Sequence, residues 1–321
     1  MTKYEALSEK ACAQQDYDDE IDLRQLLGTL WVGKWLILAM TILFGAGGVA
    51  YALSKPDIYR SSVLLAPAND ESGIGGISGQ LGGLANLAGI NLGSGGSNQT
   101  VIAQEVVRSR AFLADFIERH NLAVPLMAVR GWSSEKNDWQ YDREVYNPET
   151  GQWLPDEDGK SQQPTDWDLV NAFKEEHLNV SVNSENGMVT FSVKSLSPHA
   201  AQQWAQWLVQ DINEYMRQQD VAEAEARINY LEDKLTDTNI AGMQQVFYQL
   251  IESETRTVML ANAQAEYVFK TIDPAVVPQE KSEPKRALIA ILAIMLGGIL
   301  GVFVVFVRSF FKGGSKPEEE I

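Results

Sequence analysis

Two long apolar runs without any charge stand near the two ends of this chain. They cover residues 35–53, WLILAMTILFGAGGVAYAL, and residues 287–307, ALIAILAIMLGGILGVFVVFV. Each is about as long as the ~20 residues that a helix needs to cross a bilayer, so we predict two transmembrane helices. The first run is not a cleaved signal peptide, because the acidic stretch DYDDEID precedes it and no small-residue cleavage pattern follows it.

Polar and apolar positions alternate with the period of a strand after the first run, up to Pro67. One face of this predicted strand carries Tyr59, Ser61, Val63 and Leu65. Residues 178–182 and 189–193 alternate in the same way around an Asn-Gly bend, which predicts a β-hairpin. A last strand is predicted from residue 269. Between the first strand and this β-hairpin, a single helix is predicted with an inner face of Val101 or Ile102, Val106, Leu113, Phe116 and Ile117.

A much longer helical pattern begins at Ser197, which caps it, with Pro198 in the first turn. Apolar residues repeat along it at gaps of three and four, a heptad seam formed by Val221, Ala224, Ile228, Leu231 and Leu235. The pattern breaks around residues 237–242. A second stripe follows, formed by Met243, Phe247, Leu250, Val258, Ala261, Ala265 and Val268. The two stripes predict an antiparallel helical hairpin.

These patterns predict an α+β membrane protein in which two transmembrane helices flank a large α/β domain with a long helical hairpin. Its parts are a tail with an amphipathic juxtamembrane helix (1–34), a first span (35–53), the large domain (54–286), a second span (287–307) and a tail (308–321). Within the large domain, residues 54–197 and 269–286 form the base and 198–268 the hairpin. Basic residues flank the spans almost equally, but the tails are short and the middle is long, which favours cytoplasmic termini.

The net charge of −17 argues against nucleic acid or anionic lipid as the main partner of the large domain. The one cysteine, Cys12, lies in the N-terminal tail. The large domain therefore cannot use disulfides and depends on its core and on assembly.

Candidate chemistry is sparse, and we predict no catalytic, cofactor or metal site. The glycine-rich stretch 72–96 lacks the lysine-containing signature of a phosphate loop, and we interpret it as a flexible membrane-proximal segment. His120, His177 and His199 are scattered without metal-ligand spacing. Trp204 and Trp207 are better explained by packing against the strands than by sugar stacking.

The residues with the strongest indication of a special packing role lie in and before the second span. Gly297, Gly298 and Gly301 form a flat notch where another helix can approach closely. Its partner is either the first span, which offers small residues from Gly45, or a helix of a polymerase. Before the span, the predicted functional or packing positions are Pro274, Pro278 and Pro284, which hold the chain extended. In the hairpin they are Ile228 and Leu231.

Taken together, these segments resemble the Wzz/FepE polysaccharide co-polymerases, which regulate O-antigen chain length in Gram-negative inner membranes. The most specific similarity is EYVFKTIDPAVVPQEKSEPKRALIAILAIMLGGILG, and the segments LANLAGINLG and YNPETGQW are similar to the FepE-like branch. The resemblance implies a non-enzymatic regulator with a periplasmic domain that assembles as a bell-shaped homo-oligomeric ring. Its implied partners are the O-antigen polymerase and, as a further candidate, the lipid-linked polysaccharide. The stretch RSFFKGGSKPEEEI after the second span lacks a Walker motif, so we expect no kinase domain.

Other functions stay open at this point. A periplasmic adaptor of an export system also uses a helical hairpin on a membrane anchor, although the second span and the proline-rich run count against it. A regulator of a capsule or exopolysaccharide is another alternative. An enzyme of glycan assembly is a third, and no acid–base constellation in the sequence supports it.

Overall fold

A computed structural model describes residues 28, 30–68, 95–238 and 240–313 of the chain. The predicted amphipathic helix up to residue 27, the glycine-rich stretch up to residue 94 and the tail after residue 313 lie outside the described residues.

The helices of the described residues are, in chain order, α1 (Lys34–Ser54), α2 (Gly95–Val107), α3 (Arg110–Arg119), α4 (Ala123–Met127), α5 (Asp166–Ala172), α6 (Pro198–Asp237), α7 (Ala241–Ala263) and α8 (Arg286–Gly313). A turn of π-helix, Phe173–His177, follows α5. The strands are β1 (Tyr59–Pro67), β2 (Val129–Ser133), β3 (Asp138–Tyr141), β4 (Tyr146–Asn147), β5 (Gln152–Trp153), β6 (Leu178–Val182), β7 (Val189–Ser195) and β8 (Phe269–Asp273). This mixture of helices and strands confirms the predicted fold class.

The chain divides into two units, and the smaller one comprises residues 1–55 and 284–321. It is built on α1 and α8, which pack along each other and are long and apolar enough to cross a membrane. Large apolar side chains on both helices are exposed, among them Leu43, Ile299 and Phe303. A helix that is apolar on all sides needs an apolar surrounding, so this exposure is what a membrane span requires.

The larger unit, residues 56–283, contains a four-stranded antiparallel sheet with the order β6-β7-β1-β8. The alternation predicted for β1 is present, because Ser61, Val63 and Leu65 are buried while their neighbours are less so. The register places Val63 opposite Phe191 of β7. Both side chains belong to the core, so the register buries one apolar row per strand.

Helix α6 covers this sheet with its first half. Trp204, Leu208 and Ile212 are almost fully buried in the same core as β1 and β7. The part of α6 up to Met216 therefore packs in the base, although the sequence assigned residues from 198 onward to the hairpin. That division stays a prediction.

The single helix predicted around residues 101–117 is wrong, because the chain forms two helices there. Ser109 has an extended backbone, and its side chain accepts a hydrogen bond from the Phe112 amide, so it caps α3 and ends the continuity with α2. Val101 and Ile102 are exposed. Leu113, Phe116 and Ile117 lie in the core as predicted, and they are joined there by Ala103, Val107 and Phe112.

The second stripe of the helical hairpin also needs a correction. Met243 and Leu250 are each 45% exposed, while Phe247, Ile251 and Glu254 are half-buried against α6. Phe247, Val258 and Ala261 of the predicted stripe are half-buried or buried, whereas the side chains at positions 243 and 250 are exposed, and Gln244 and Ile251 are half-buried beside them. The helix ends at Ala263, so Ala265 and Val268 lie beyond it.

Asn213 of α6 binds the backbone of the chain as it enters β8. Its Oδ1 accepts hydrogen bonds from the amides of Val268 and Phe269 at 2.8 and 2.9 Å, and its Nδ2 donates to the Phe269 carbonyl at 3.0 Å. All three residues are buried. The helix therefore satisfies polar groups of an edge strand that the sheet does not pair.

We expect Asn213→Ala to destabilise the protein by about 3 kcal/mol, because it leaves two amides and one carbonyl buried without partners. Denaturant unfolding of the full chain in detergent, followed by circular dichroism, measures this loss. The same substitution at Asn229, which is exposed on the same helix, serves as the control. Equal unfolding midpoints for the two variants would contradict the assigned role.

Candidate functional surfaces

The glycine notch of the second predicted span is occupied by the first one. A β-carbon placed on Gly301 would lie 2.9 Å from the Ile37 Cα, and one on Gly297 would lie 2.7 Å from the Phe44 Cβ. These distances are shorter than side chains tolerate, so glycine allows the two helices their close approach. Of the two partners that the sequence left open, α1 is the one in contact with the notch.

The three glycines of the notch are not equivalent. Gly298 has only the Thr41 Oγ1 near its side, at 3.8 Å, which is an ordinary contact. On α1, Gly45 faces Ile294 and Gly48 faces Ala293. Small residues therefore lie on both sides of the helix pair, at successive turns.

The proline-rich segment leaves β8 in an extended conformation and is held by side chains of the base. The Ser61 Oγ donates to the Val276 carbonyl at 2.7 Å, and the Gln202 Nε2 donates to the Ala275 carbonyl at 3.1 Å. Pro274 is exposed, whereas Pro278 and Pro284 are half-buried. Prolines have no amide hydrogen, so the backbone at these three positions cannot donate a hydrogen bond to a neighbouring strand. The carbonyls of Ala275 and Val276 accept hydrogen bonds from side chains of the base instead.

A polar clasp, Ile58 with Lys194 and Glu283, joins the beginning and the end of the larger unit. The Ile58 amide donates to the Glu283 carbonyl at 3.0 Å, and the Glu283 carboxylate lies 2.6 Å from the Lys194 Nζ. Arg60 adds a longer ion pair with Glu283 at 3.8 Å. No sequence pattern indicates this clasp, since Ile58, Lys194 and Glu283 are more than eighty residues apart.

The predicted seam of the helical hairpin lies between α6 and α7. Ala224 is fully buried, and Ile228 and Leu231 are half-buried there. Arg227 crosses the seam, with its Nη2 3.0 Å from the Glu254 carboxylate and its Nη1 3.4 Å from Glu223. Since an ion pair across two helices is satisfied in one register only, this contact specifies how the hairpin closes.

The base of the hairpin is tied by a hydrogen-bonded group around Asp220. The Tyr267 hydroxyl and the Gln99 Nε2 donate to the same Asp220 oxygen at 2.7 and 2.6 Å. Burial, reinforced by the bond to the carboxylate, raises the pKa of Tyr267 to about 12. The phenol therefore stays a donor at physiological pH, and α6 is fixed to the segment that precedes β8.

Beside the seam, an open groove of about 420 Å³ lies on one flank of the hairpin. It is lined by Ala226, Arg227, Tyr230, Leu231, Leu250 and Glu254. The small side chain of Ala226 leaves the space, and Tyr230 and Leu250 stand at its sides with 62% and 45% of their surface exposed. Leu250 was predicted to lie in the seam, and the groove was not predicted from the sequence.

His120, His177, Trp204 and Trp207 pack against other rings of the base, whereas His199 is exposed near the start of α6. Trp204 is 3% exposed, and Trp207 stacks on the His120 ring at a centroid distance of 4.1 Å. The His120 Nε2 lies 2.9 Å from Asp211, and burial lowers the pKa of His177. Among the described residues, no three His, Cys, Asp or Glu side chains are placed to hold a metal ion.

Comparison with known families gives two matches within this chain. The model of the Wzz chain length determinant protein matches residues 19–120. This chain carries a Wzz chain length determinant domain. The GNVR model, described as a G-rich domain on a proposed tyrosine kinase, matches residues 236–310. The predicted resemblance to the Wzz family is confirmed, whereas the FepE-like branch stays a prediction.

Two solved structures give more distant likenesses to this Wzz-domain chain. A full-length bacterial polysaccharide co-polymerase is 15% identical with a TM-score of 0.39, and covers 93% of this chain and 100% of its own. A fragment of WzzB, a polysaccharide co-polymerase from Salmonella Typhimurium, is 11% identical with a TM-score of 0.29, and covers 71% and 100%. No curated protein sequence matches the chain. At these TM-scores the likenesses support no further conclusion.

The two family matches contain most of the surfaces described above. The Wzz domain includes α1, β1 and α3, and the GNVR stretch includes α7, β8, the three prolines and the glycine notch. The contact between α1 and α8 therefore joins the Wzz domain to the GNVR stretch. Ile228 and Leu231 lie outside both matches.

We expect Gly301→Leu to destabilise the helix pair by about 2 kcal/mol, since the new side chain meets the backbone of Ile37, which cannot yield. Thermal unfolding of the full chain in detergent measures the effect. Ile299→Leu, at an exposed position on the same helix, keeps the bulk and should leave the midpoint unchanged. A midpoint that Gly301→Leu fails to lower would show that the notch does not hold the helices together.

We expect Ile228→Asp to open the hairpin seam, because it places a charge without a partner in a half-buried apolar row, at a cost of about 2–3 kcal/mol. Limited proteolysis of α7 should then become faster at equal protein concentration. Asn229→Asp adds the same charge on the exposed neighbour and should not change the rate. A seam that resists proteolysis equally in both variants would contradict the hairpin packing.

Proposed function

We propose that this chain sets the chain length of the O-antigen of lipopolysaccharide. It acts as a ring-shaped homo-oligomer beside a separate polymerase in the inner membrane of a Gram-negative bacterium. The observation that carries this proposal is the Wzz chain length determinant domain at residues 19–120. The pair of apolar helices, α1 and α8, supports the membrane location.

In this proposal both termini are cytoplasmic and the larger unit lies in the periplasm. The chain itself makes and breaks no glycosidic bond, and the polymerase supplies the chemistry. Its own contribution is positional: a membrane anchor, a rigid base and a long helical hairpin. The lipid-linked polysaccharide is the ligand that this arrangement would meet.

The length of α6 supports a positional role. At about 1.5 Å per residue, its 40 residues measure about 60 Å. A helix held in the core at one end keeps its direction, so protomers can place surfaces at a fixed distance from the base. A length regulator needs such a fixed distance, whereas an enzyme needs converging catalytic groups.

A second candidate is a regulator of a capsule or exopolysaccharide. The GNVR match at residues 236–310 favours it, because that domain is described on a proposed tyrosine kinase. The two candidates share the same physical role and differ in the glycan. The two candidates can therefore be distinguished by measuring which polymer changes in length when the chain is absent, the O-antigen or the capsule or exopolysaccharide.

We expect a strain without this chain to make O-antigen that has lost its clustering around a preferred length, with the total amount of polymer kept. Electrophoresis of lipopolysaccharide, with capsule size measured in parallel, tests this. Complementation with the wild-type chain should restore the clustering.

Other results would point elsewhere. A change in capsule length alone would favour the second candidate. Complete loss of polymer would indicate an enzyme of glycan assembly. A normal ladder with polymer retained inside the cell would indicate an export adaptor.

A further inference from the structure

Residues 129–165 form a small lobe that contains two short β-hairpins, β2 with β3 and β4 with β5. No side chain in this lobe is buried. The lobe nevertheless carries five large aromatic residues, each of them half-buried: Trp132, Trp139, Tyr141, Tyr146 and Trp153. Aromatic side chains stabilise a fold most when their whole surface is buried, so the packing of the lobe alone does not explain why it carries five of them.

The five rings form one continuous row across both hairpins. Trp132 lies opposite Trp139 and Tyr146 lies opposite Trp153, and the ring centroids of the two pairs are 5.0 and 5.4 Å apart. Tyr141 connects the pairs, because it follows Trp139 by two residues on the same face of β3 and its centroid lies 6.0 Å from that of Tyr146. Each ring is therefore within about 7 Å of the next. We call these five side chains the aromatic row.

The polar atoms of the aromatic row are open to a ligand. Within the part of the chain that the structure describes, its two phenol hydroxyls and three indole N–H groups make no hydrogen bond, and none of these atoms is buried. Burial of the ring, with Asp138 and Tyr146 nearby, raises the pKa of Tyr141, so its hydroxyl stays protonated and can donate. The row therefore offers apolar rings and five free donors side by side.

Polar contacts hold the two hairpins of the lobe together. The Arg130 guanidinium donates to the Asp142 carboxylate at 2.7 Å and to the Glu144 carboxylate at 3.0 Å, which joins β2 to the segment between the hairpins. The Gln162 Nε2 donates to the Glu144 carbonyl at 3.0 Å. Because the lobe is tied in this way, the aromatic row is formed before a ligand arrives, and binding costs little ordering of the protein.

The charge of the lobe indicates which ligand the aromatic row fits. Residues 129–165 contain eight acidic and four basic side chains. Single-stranded nucleic acids also stack on aromatic rings, but their sites combine the rings with a positively charged groove, which this acidic lobe does not provide. A sugar ring has an apolar face of C–H groups and an edge of hydroxyls that accept hydrogen bonds. A succession of rings and free donors therefore matches a chain of uncharged sugars.

We propose that the aromatic row is a binding site for a neutral polysaccharide, whose sugar rings stack on the aromatic rings and whose hydroxyls accept hydrogen bonds from the phenol and indole groups. The lobe belongs to neither of the two family matches. The inference rests on the proposed function for the choice of the O-antigen as the glycan. It gives the chain a direct contact with the polymer whose length it is proposed to set.

The test measures binding to the full-length protein in detergent by isothermal titration calorimetry. The probe is the O-polysaccharide that mild acid releases from the lipopolysaccharide of the host strain. Trp153→Ala removes the ring at one end of the row, and we expect it to weaken binding about tenfold. Tyr146→Phe keeps the ring and removes only the hydroxyl, and we expect a loss of about threefold. Because Tyr146→Phe preserves the packing of the lobe, it decides the test even if Trp153→Ala unfolds the lobe.

Trp167→Ala is the matched control. Trp167 is 58% exposed and lies on α5, where the Arg110 guanidinium stands over its ring at 5.5 Å. The substitution removes a tryptophan outside the aromatic row and should leave the affinity for the O-polysaccharide unchanged. If it weakens binding as much as Trp153→Ala does, the position in the row does not explain the loss, and the assignment fails.

The other outcomes separate this site from the proposed function. Binding of the strain's capsule or exopolysaccharide in place of the O-polysaccharide, weakened by the same two variants, would support the aromatic row and overturn the O-antigen assignment. If the wild type binds neither glycan, or if both row variants bind like the wild type, the site is wrong, whereas the ladder of the deletion strain still decides the length-regulating function. Binding of a decaproline peptide but of neither glycan would also overturn the proposal, since aromatic surfaces also bind extended proline-rich segments.

Discussion

The forty residues of α6 run without interruption from the core of the larger unit into the helical hairpin. The first half is held by the sheet, with Trp204, Leu208 and Ile212 almost fully buried. Among the described residues, the second half packs mainly against α7, apart from the bonds of Gln99 and Tyr267 to Asp220. Because backbone hydrogen bonds continue through the whole helix, its direction in the hairpin is set by its packing in the base. The position of the hairpin therefore depends on the burial of the first half.

Two polar contacts hold α6 against the chain that enters β8, at the point where α6 leaves the core. Asn213 binds the backbone of Val268 and Phe269, and Asp220 binds Tyr267 about two turns further along. Both connect α6 to the chain that returns from α7 into β8. Hydrogen bonds therefore fix the position of residues 267–269 along α6. The half-buried apolar seam alone would let α7 shift along α6.

The hairpin and the pair of long apolar helices, α1 and α8, achieve close packing in different ways. In the hairpin the seam uses alternating apolar side chains and one ion pair, Arg227 with Glu254, to select a register. Between α1 and α8, Gly297 and Gly301 remove side chains so that backbones touch. In lipid, apolar side chains gain little by leaving their surroundings, so a close fit between helices replaces the hydrophobic effect.

Much of this architecture could be predicted because it depends on local period and length. The two long apolar helices, the strand up to Pro67, the β-hairpin at residues 178–193 and the cap at Ser197 all depend on residues that are neighbours in sequence. The break at Ser109 was missed because a capping serine inside an apolar stripe looks like a helical residue until its backbone is seen.

Other features were decided only by the tertiary structure. The orientation of Leu250, the groove beside Ala226 and the clasp between Ile58 and Glu283 join residues that are distant in sequence. From the sequence, the helix that packs on Gly301 was predicted to be either the first apolar helix or a helix of a polymerase. The structure shows that it is the first apolar helix, α1. Period shows which side of a helix is apolar. Which of two adjacent apolar rows is buried depends on the rotation of the helix against its neighbour, and this rotation appears only in tertiary contacts such as that of Arg227 with Glu254.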